Sequence, residues 1–244
     1  MKDWQQFLKN IENEFKANKP NFLRKNNIKR TVHPDDGGMN IYRHVKELPY
    51  FDFAADPPIG KPNKKFPKKN STHSKTAVQS VWHIEKIRRH FGTFVKDLDL
   101  VTDIGAGYGH LCYSFWKCGF VGEYHLIDFG VMHKMQSYFL DQAGVPNCKF
   151  NKLGTLDQIP KKSKSLLFGS YSINEMPMEE RRRIEPFYKD YKYIMIVYKN
   201  NSDFGVNNRL YFEELKNKLS DTHNVQIVKD QFGRNDNILI GAKK

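Results

Sequence analysis

An apolar run at 98–104 leads directly into Gly105-Ala106-Gly107-Tyr108-Gly109, and a helical pattern follows at 109–117. Glycines admit backbone angles and close approaches that a Cβ forbids, so this reads as a strand turning sharply into a helix. The same alternation recurs downstream. Strand patterns fall at 98–104, 123–128, 148–153, 165–170, 191–198, 225–229 and 237–240, with helical patterns at 109–117, 131–143, 178–189 and 208–219. Strands alternating with helices predict an α/β fold, a mostly parallel sheet with helices on both faces. The last two strands are separated only by 230–236, too few residues for a crossover helix, so an antiparallel hairpin should end the sheet. No internal repeat is visible.

The region before this alternation differs. Trp4, Phe7, Leu8, Ile11 and Phe15 recur at helical spacing and predict a helix over 2–17 with one apolar stripe. Residues 18–70 carry seven prolines, which exclude long helices through most of that stretch. Within it, 57–70 holds Lys61, Lys64, Lys65, Lys68 and Lys69 and is expected to be a partly mobile basic loop on the substrate side. From Ser71 a group of candidate N-caps precedes a helical pattern ending near Gly92. The expected organisation is an N-terminal helix and basic, proline-rich extension at 1–70, then a main domain at 71–244.

The 244 residues include 40 Lys and Arg against 27 Asp and Glu, a net charge of +13 that suits an anionic partner or a solubilising surface. No apolar run approaches the length of a membrane span, and the N-terminus lacks a secretory pattern. Three cysteines, none in a Cys-x-x-Cys pair, argue against a disulfide scaffold or thiolate zinc site, and a cytoplasmic protein is expected.

The glycine turn also constrains the ligand. A dinucleotide site reads G-x-G-x-x-G, which would put glycine at position 110, where His110 stands. This chain has instead Asp103-x-Gly105-x-Gly107-x-Gly109, and Asp128 ends the next strand, 19 positions beyond Gly109. A carboxylate at the turn's entry disfavours pyrophosphate and suits cationic groups. One at the end of the next strand can accept hydrogen bonds from ribose hydroxyls.

This pattern resembles the class I S-adenosylmethionine-dependent methyltransferases over 71–244. Their fold is a seven-stranded sheet with a reversed terminal hairpin. Ser172-Ile173-Asn174-Glu175-Met176 after the fourth strand and the tyrosine-rich 191–199 are similar to putative sugar O-methyltransferases of bacterial and viral glycan pathways. Those often carry histidine where this chain has Asn174. The resemblance implies S-adenosylmethionine as cofactor. Asp103 would lie near its amino group, with Gly105, Ala106, Gly107 and Gly109 lining it. Asp128 would hold the ribose diol and Phe129 would pack on the adenine. Thr155 and Leu156 would cover the other adenine face, and Ser170 and Tyr171 would stand beside the methyl group.

An O-methyltransferase must align a hydroxyl and remove its proton. Glu175 is the expected base and Asn174 the expected acceptor-orienting group; the alternative is that both serve the start of the next helix. His73 is a second candidate base, against the alternative of an exposed helix-start histidine. A divalent metal held by His33, Asp35, Asp36 and Asp203 is possible but lacks diagnostic spacing. Of Arg181-Arg182-Arg183, at least two are expected on a solvated face, because successive helical residues point in different directions. The expected acceptor is a sugar hydroxyl, nucleotide-linked or within a glycan or oligosaccharide. The alternatives are an RNA methyltransferase, suggested by the charge, or a non-catalytic basic binding module.

Overall fold

The computed structural model describes residues 4–33, 38–200, 206–232 and 236–244. The chain forms two compact units that interleave along the sequence. One comprises 1–86, 107–120 and 129–146; the other comprises 87–106, 121–128 and 147–244.

The second unit holds one seven-stranded sheet. Its strands are β1 (Leu100–Ile104), β2 (Glu123–Ile127), β3 (Cys148–Asn151), β4 (Ser165–Ser170), β5 (Tyr193–Lys199), β6 (His223–Lys229) and β7 (Asp236–Lys243). Their order is β3-β2-β1-β4-β5-β7-β6. β1 to β5 pair in parallel, while β7 lies antiparallel between β5 and β6. The predicted α/β sheet and its terminal hairpin are therefore present.

Strands of a two-sided parallel sheet are covered on both faces and are mostly apolar, although β1 also buries Thr102 and Asp103. β1 is buried throughout, as is β4 up to its last residue. Leu100 and Ile104 of β1 and Leu167 of β4 join one core with Ile184 and Tyr188 of α7 (Met178–Tyr188) and Phe212 and Leu215 of α8 (Asn208–Leu219). The chain winds from β1 out to β3, then restarts at β4 on β1's other side. β1 and β4 thus flank the topological switch, the point of an open α/β sheet where ligands bind at the strands' carboxyl ends.

The first unit contains α1 (Trp4–Ala17), α2 (Asn26–Val32), α3 (Met39–Val45), most of α4 (Lys75–Phe91), α5 (His110–Lys117) and α6 (Gly130–Gln142). The predicted stripe of α1 buries Ile11 and Phe15, and Phe15 packs edge-on against Phe22 and Tyr138. Ser74 caps α4 by accepting from the Ala77 N–H at 3.2 Å, and Gly92 ends the helix with a left-handed φ of 64°.

The 57–70 segment departs from the mobile loop its prolines and lysines suggested. Leu23 N–H donates to Gly60 O, and Arg24 donates to Lys61 O and Pro62 O. Phe66 is buried and bridges His73 in antiparallel fashion. Prolines exclude helix but not order, and buried Phe66 supplies an anchor that composition hides.

Candidate functional site

At the carboxyl end of β1 the Gly105 N–H donates to Ile127 O of β2 at 2.8 Å, and Gly105 turns with a φ of 73°. A Cβ there would collide with the side chain of Ser172, whose hydroxyl donates to Ile104 O. Gly105 is thus required by internal packing as well as by the turn. Ser172, given no role of its own within the Ser172–Met176 motif, joins the ends of β1 and β4 at the switch point. Ala106 follows, half-exposed. Asp128 ends β2's extension with its N–H on Asn151 O, and is also half-exposed.

Asp103 lies inside β1, only 3% exposed, and accepts from the Tyr124 hydroxyl at 2.9 Å. Burial pushes its carboxyl up to about 7, and the single neutral donor only partly offsets this. Asp103, expected near the cofactor's amino group, is therefore a buried acid whose surroundings favour its neutral form.

After β4 the chain passes through Tyr171, a non-glycine residue with φ 63°. Its hydroxyl donates to Asp236 Oδ2 at 2.7 Å, and the Lys199 ammonium sits 5.3 Å from its ring centre. Burial and then the adjacent carboxylate of Asp236 raise the phenol far above its ordinary value, so Tyr171 is a hydrogen-bond donor and not a base. Ser170, half-exposed, closes the strand beside it. A strained conformation of this kind persists only where its surroundings fix it, and it recurs at functional sites.

The loop that follows, Ile173–Glu175, is held by Arg181. This arginine is fully buried and donates to Asn174 O, Met176 O and Asn208 Oδ1 at 2.6, 2.9 and 2.7 Å. Its guanidinium also lies 4.9 Å from the Tyr211 ring centre. Asn208 in turn donates to Lys199 O. One cation therefore locks the β4 loop, the end of β5 and the start of α8. Arg182 and Arg183 are exposed and paired with Glu214, Glu185 and Glu180, as expected of a solvated face.

Asn174 is corrected from its expected role. It is buried, its side-chain oxygen faces the Lys199 N–H at 3.4 Å, and it neither caps α7 nor reaches solvent to orient an acceptor. Glu175 is exposed on the same loop. Leu156 is also corrected: it is 4% exposed and packs in the core, leaving no surface to cover an adenine. Thr155 is half-buried and donates to Lys152 O. A surface hollow lined by Leu100, Leu156, Ile159, Ser165, Phe187 and Tyr191 opens at the amino ends of β1 and β4, opposite the switch.

In the first unit, Gly107 and Gly109 have φ of 60° and 94°. A Cβ on Gly109 would press on Leu140, whereas one on Gly107 would meet nothing nearer than Val32 at 3.6 Å. Gly107 O accepts from Gln136. Phe129 is 53% exposed at the start of α6.

His73 is neither an exposed helix-start residue nor placed for proton transfer. It is fully buried, stacks on Phe51 at 3.9 Å, and engages Phe51 O and Thr72 Oγ1. Burial, only partly offset by the Phe51 carbonyl, keeps its ring below the ordinary value.

His110 belongs to a polar interior the sequence did not reveal. Its Nε2 faces buried Asp56 at 3.3 Å, and its Nδ1 meets Ser80 and Ser114 hydroxyls. Asp56 also accepts from the N–H and hydroxyl of Ser74. His33 Nε2 accepts from the Asn63 N–H and its Nδ1 meets Thr76, which leaves that ring committed. Asp35, Asp36 and Asp203, the other members of the metal alternative, lie outside the described residues. Among the described residues no cluster suited to a metal ion occurs, and no helix is long and apolar enough to cross a membrane.

The sequence matches no protein-family model and no curated protein. Solved structures share the fold. The PH0226 protein from Pyrococcus horikoshii OT3 is 14% identical with a TM-score of 0.52, over 74% of this chain and 97% of that one. A precorrin-6y C5,15-methyltransferase from Geobacter metallireducens GS-15 is 15% identical with a TM-score of 0.50, over 72% and 92%. The fold is the Rossmann-like methyltransferase fold. At these identities the likeness concerns architecture, and the chemistry must be argued from this chain's own residues.

Proposed function

We propose that the chain is an S-adenosylmethionine-dependent O-methyltransferase acting on a sugar hydroxyl, nucleotide-linked or within a glycan, with 71–244 as its catalytic region. The observation that carries this is the arrangement at the switch point. A strand enters a glycine turn, a half-exposed acid follows the next strand, and a strained, braced loop follows β4.

The residues fit the cofactor. Asp128 can accept from two ribose hydroxyls, and Phe129 offers an exposed ring for the adenine. Gly105, Ala106, Gly107 and Gly109 form the turn expected beside it, and of the three glycines Gly107 is the one whose neighbours leave a Cβ only ordinary contact. Ser170 and Tyr171 end β4, and Thr155 follows β3. Asp103, poised between its charged and neutral forms, can ionise towards an ammonium group. The cofactor supplies an activated methyl group on a sulfonium. Within the chain, Glu175 would accept the acceptor hydroxyl's proton, while Arg181 and Asn174 fix the loop that presents it.

The test measures methyl transfer from labelled S-adenosylmethionine to a panel of sugar and nucleotide-sugar acceptors. Glu175→Gln should lower kcat by roughly 10²–10⁴ while leaving S-adenosylhomocysteine binding intact. Full activity in that variant would remove Glu175 as the base. The RNA-methyltransferase alternative draws on one observation, the ordered basic segment of the first unit.

A further inference from the structure

We infer that the first unit carries a docking surface for single-stranded RNA, built from Arg43, Lys61, Lys64, Lys68 and Lys69 with the exposed ring of Phe53. This goes beyond the methyl-transfer reading and does not depend on it.

Charge is the first argument. Residues 57–84 contain six lysines and no acid. Lys61, Lys68 and Lys69 are exposed and Lys64 is half-exposed, and none of the four forms an ion pair with a described residue. Of the nearby acids, Asp56 is buried against His110 and Ser74 and Glu47 pairs with Lys46, while Asp52 is exposed beside Phe53. Over 48–84 six lysines thus stand against two acids, one of them buried, an excess that suits a partner with closely spaced negative charges.

Order is the second. A mobile lysine loop would lose entropy on binding, but this one is already fixed by Arg24, by the Leu23–Gly60 hydrogen bond and by the Phe66–His73 bridge. Tyr42 stacks on Phe66 at 5.2 Å, which ties α3 and its exposed Arg43 to the same scaffold.

An aromatic platform is the third. Phe53 is 50% exposed. Its segment packs beside the loop, since Phe51 stacks on His73 and the Asp56 N–H donates to Thr72 O. Cationic side chains with an exposed aromatic ring are what single-stranded nucleic acids recruit: phosphates meet the cations and a base stacks on the ring. An acidic glycan would also use the charges and could lay a C–H face on Phe53, but only a base offers that ring a full π-face to stack on.

The experiment measures fluorescence anisotropy of a labelled 20-nucleotide oligouridylate from 50 to 300 mM NaCl. Wild type should bind with a steep salt slope. Replacing Lys61, Lys64, Lys68 and Lys69 together by Gln should flatten log K against log[NaCl] by about 2–3, near 0.7 for each phosphate that is no longer neutralised. Lys68→Gln with Lys69→Gln should give about half that change, which guards against misfolding of the fourfold variant. Phe53→Ala should weaken binding by roughly 5- to 100-fold with the slope unchanged. No binding by wild type at 50 mM NaCl, or an unchanged slope in both lysine variants, overturns the inference. So does tighter binding of heparin than of RNA with Phe53→Ala neutral, which would name an acidic glycan instead. S-adenosylhomocysteine binding, measured in parallel, reports the methyltransferase reading separately.

Discussion

Asp56 in the first unit and Asp103 in the second are both buried aspartates, and their surroundings drive them in opposite directions. Burial pushes the Asp56 carboxyl up, but His110, the Ser74 N–H and His33 together outweigh it, and it titrates below the ordinary range. Asp103 has only the Tyr124 hydroxyl, and burial lifts it to about 7. Burial alone therefore does not decide whether a carboxylate stays charged; the donors and cations around it do. The second unit repeats the lesson with the opposite sign. Arg181 is a buried cation with no carboxylate at salt-bridge distance among the described residues, held by three oxygens and an aromatic face.

The two acids should act in separate pH windows. Asp56, lowered on folding, contributes stability that is full above the unfolded value near 3.8 and lost as pH falls through its folded value. Asp103, raised on folding, does the reverse. Its neutral form is tolerated at low pH, and stability is lost as pH rises from about 3.8 to about 7.

Removing the better-satisfied acid should have the largest effect. Asp56→Ala strands the Ser74 donors and His110, and urea unfolding at pH 7 should show a loss of about 3–5 kcal/mol. A loss under about 1 kcal/mol would mean the network is not formed. Arg181→Met should cost about 2–4 kcal/mol by leaving carbonyl oxygens without donors. Arg181→Lys should not restore it, because one ammonium cannot span Asn174, Met176 and Asn208. Full restoration by lysine would show that charge and not the fork matters.

Gly105→Ala should destabilise by about 2–4 kcal/mol through its φ and its collision with Ser172. Adding Ser172→Gly should recover part of that loss, and no recovery would place the constraint elsewhere. Asp103→Asn should be the mildest change, and of opposite sign. At pH 8 the variant should be more stable than wild type by about 1–4 kcal/mol, with the difference vanishing near pH 4. An equal difference at both pH values would contradict a buried carboxylate that titrates near neutrality.

The sheet was legible because its central strands β1, β4 and β5 are buried and mostly apolar, and helical patterns recur between strands. The terminal hairpin followed from a segment too short to cross over. The glycine turn was legible too, but its cause was mixed: Gly105 and Gly109 answer to Ser172 and Leu140, while a Cβ on Gly107 would make only ordinary contact with Val32. What stayed hidden were interactions between residues distant in sequence. Asp56 meets His110 across 54 positions, and Ser172 meets Ile104 across 68. Arg181 looked like part of a charged run, and only the fold could show that one of three arginines turns inward. His73, Asn174 and Leu156 were assigned by position in a motif, and burial gave each a structural task instead.

The central claim is that the switch point holds S-adenosylmethionine through Asp128. Titration calorimetry with S-adenosylmethionine and S-adenosylhomocysteine tests it on wild type and Asp128→Ala. The account predicts micromolar binding by wild type and at least a tenfold loss in the variant, as expected when hydrogen bonds to a charged acceptor are removed. Folded wild-type protein that binds neither compound would contradict it.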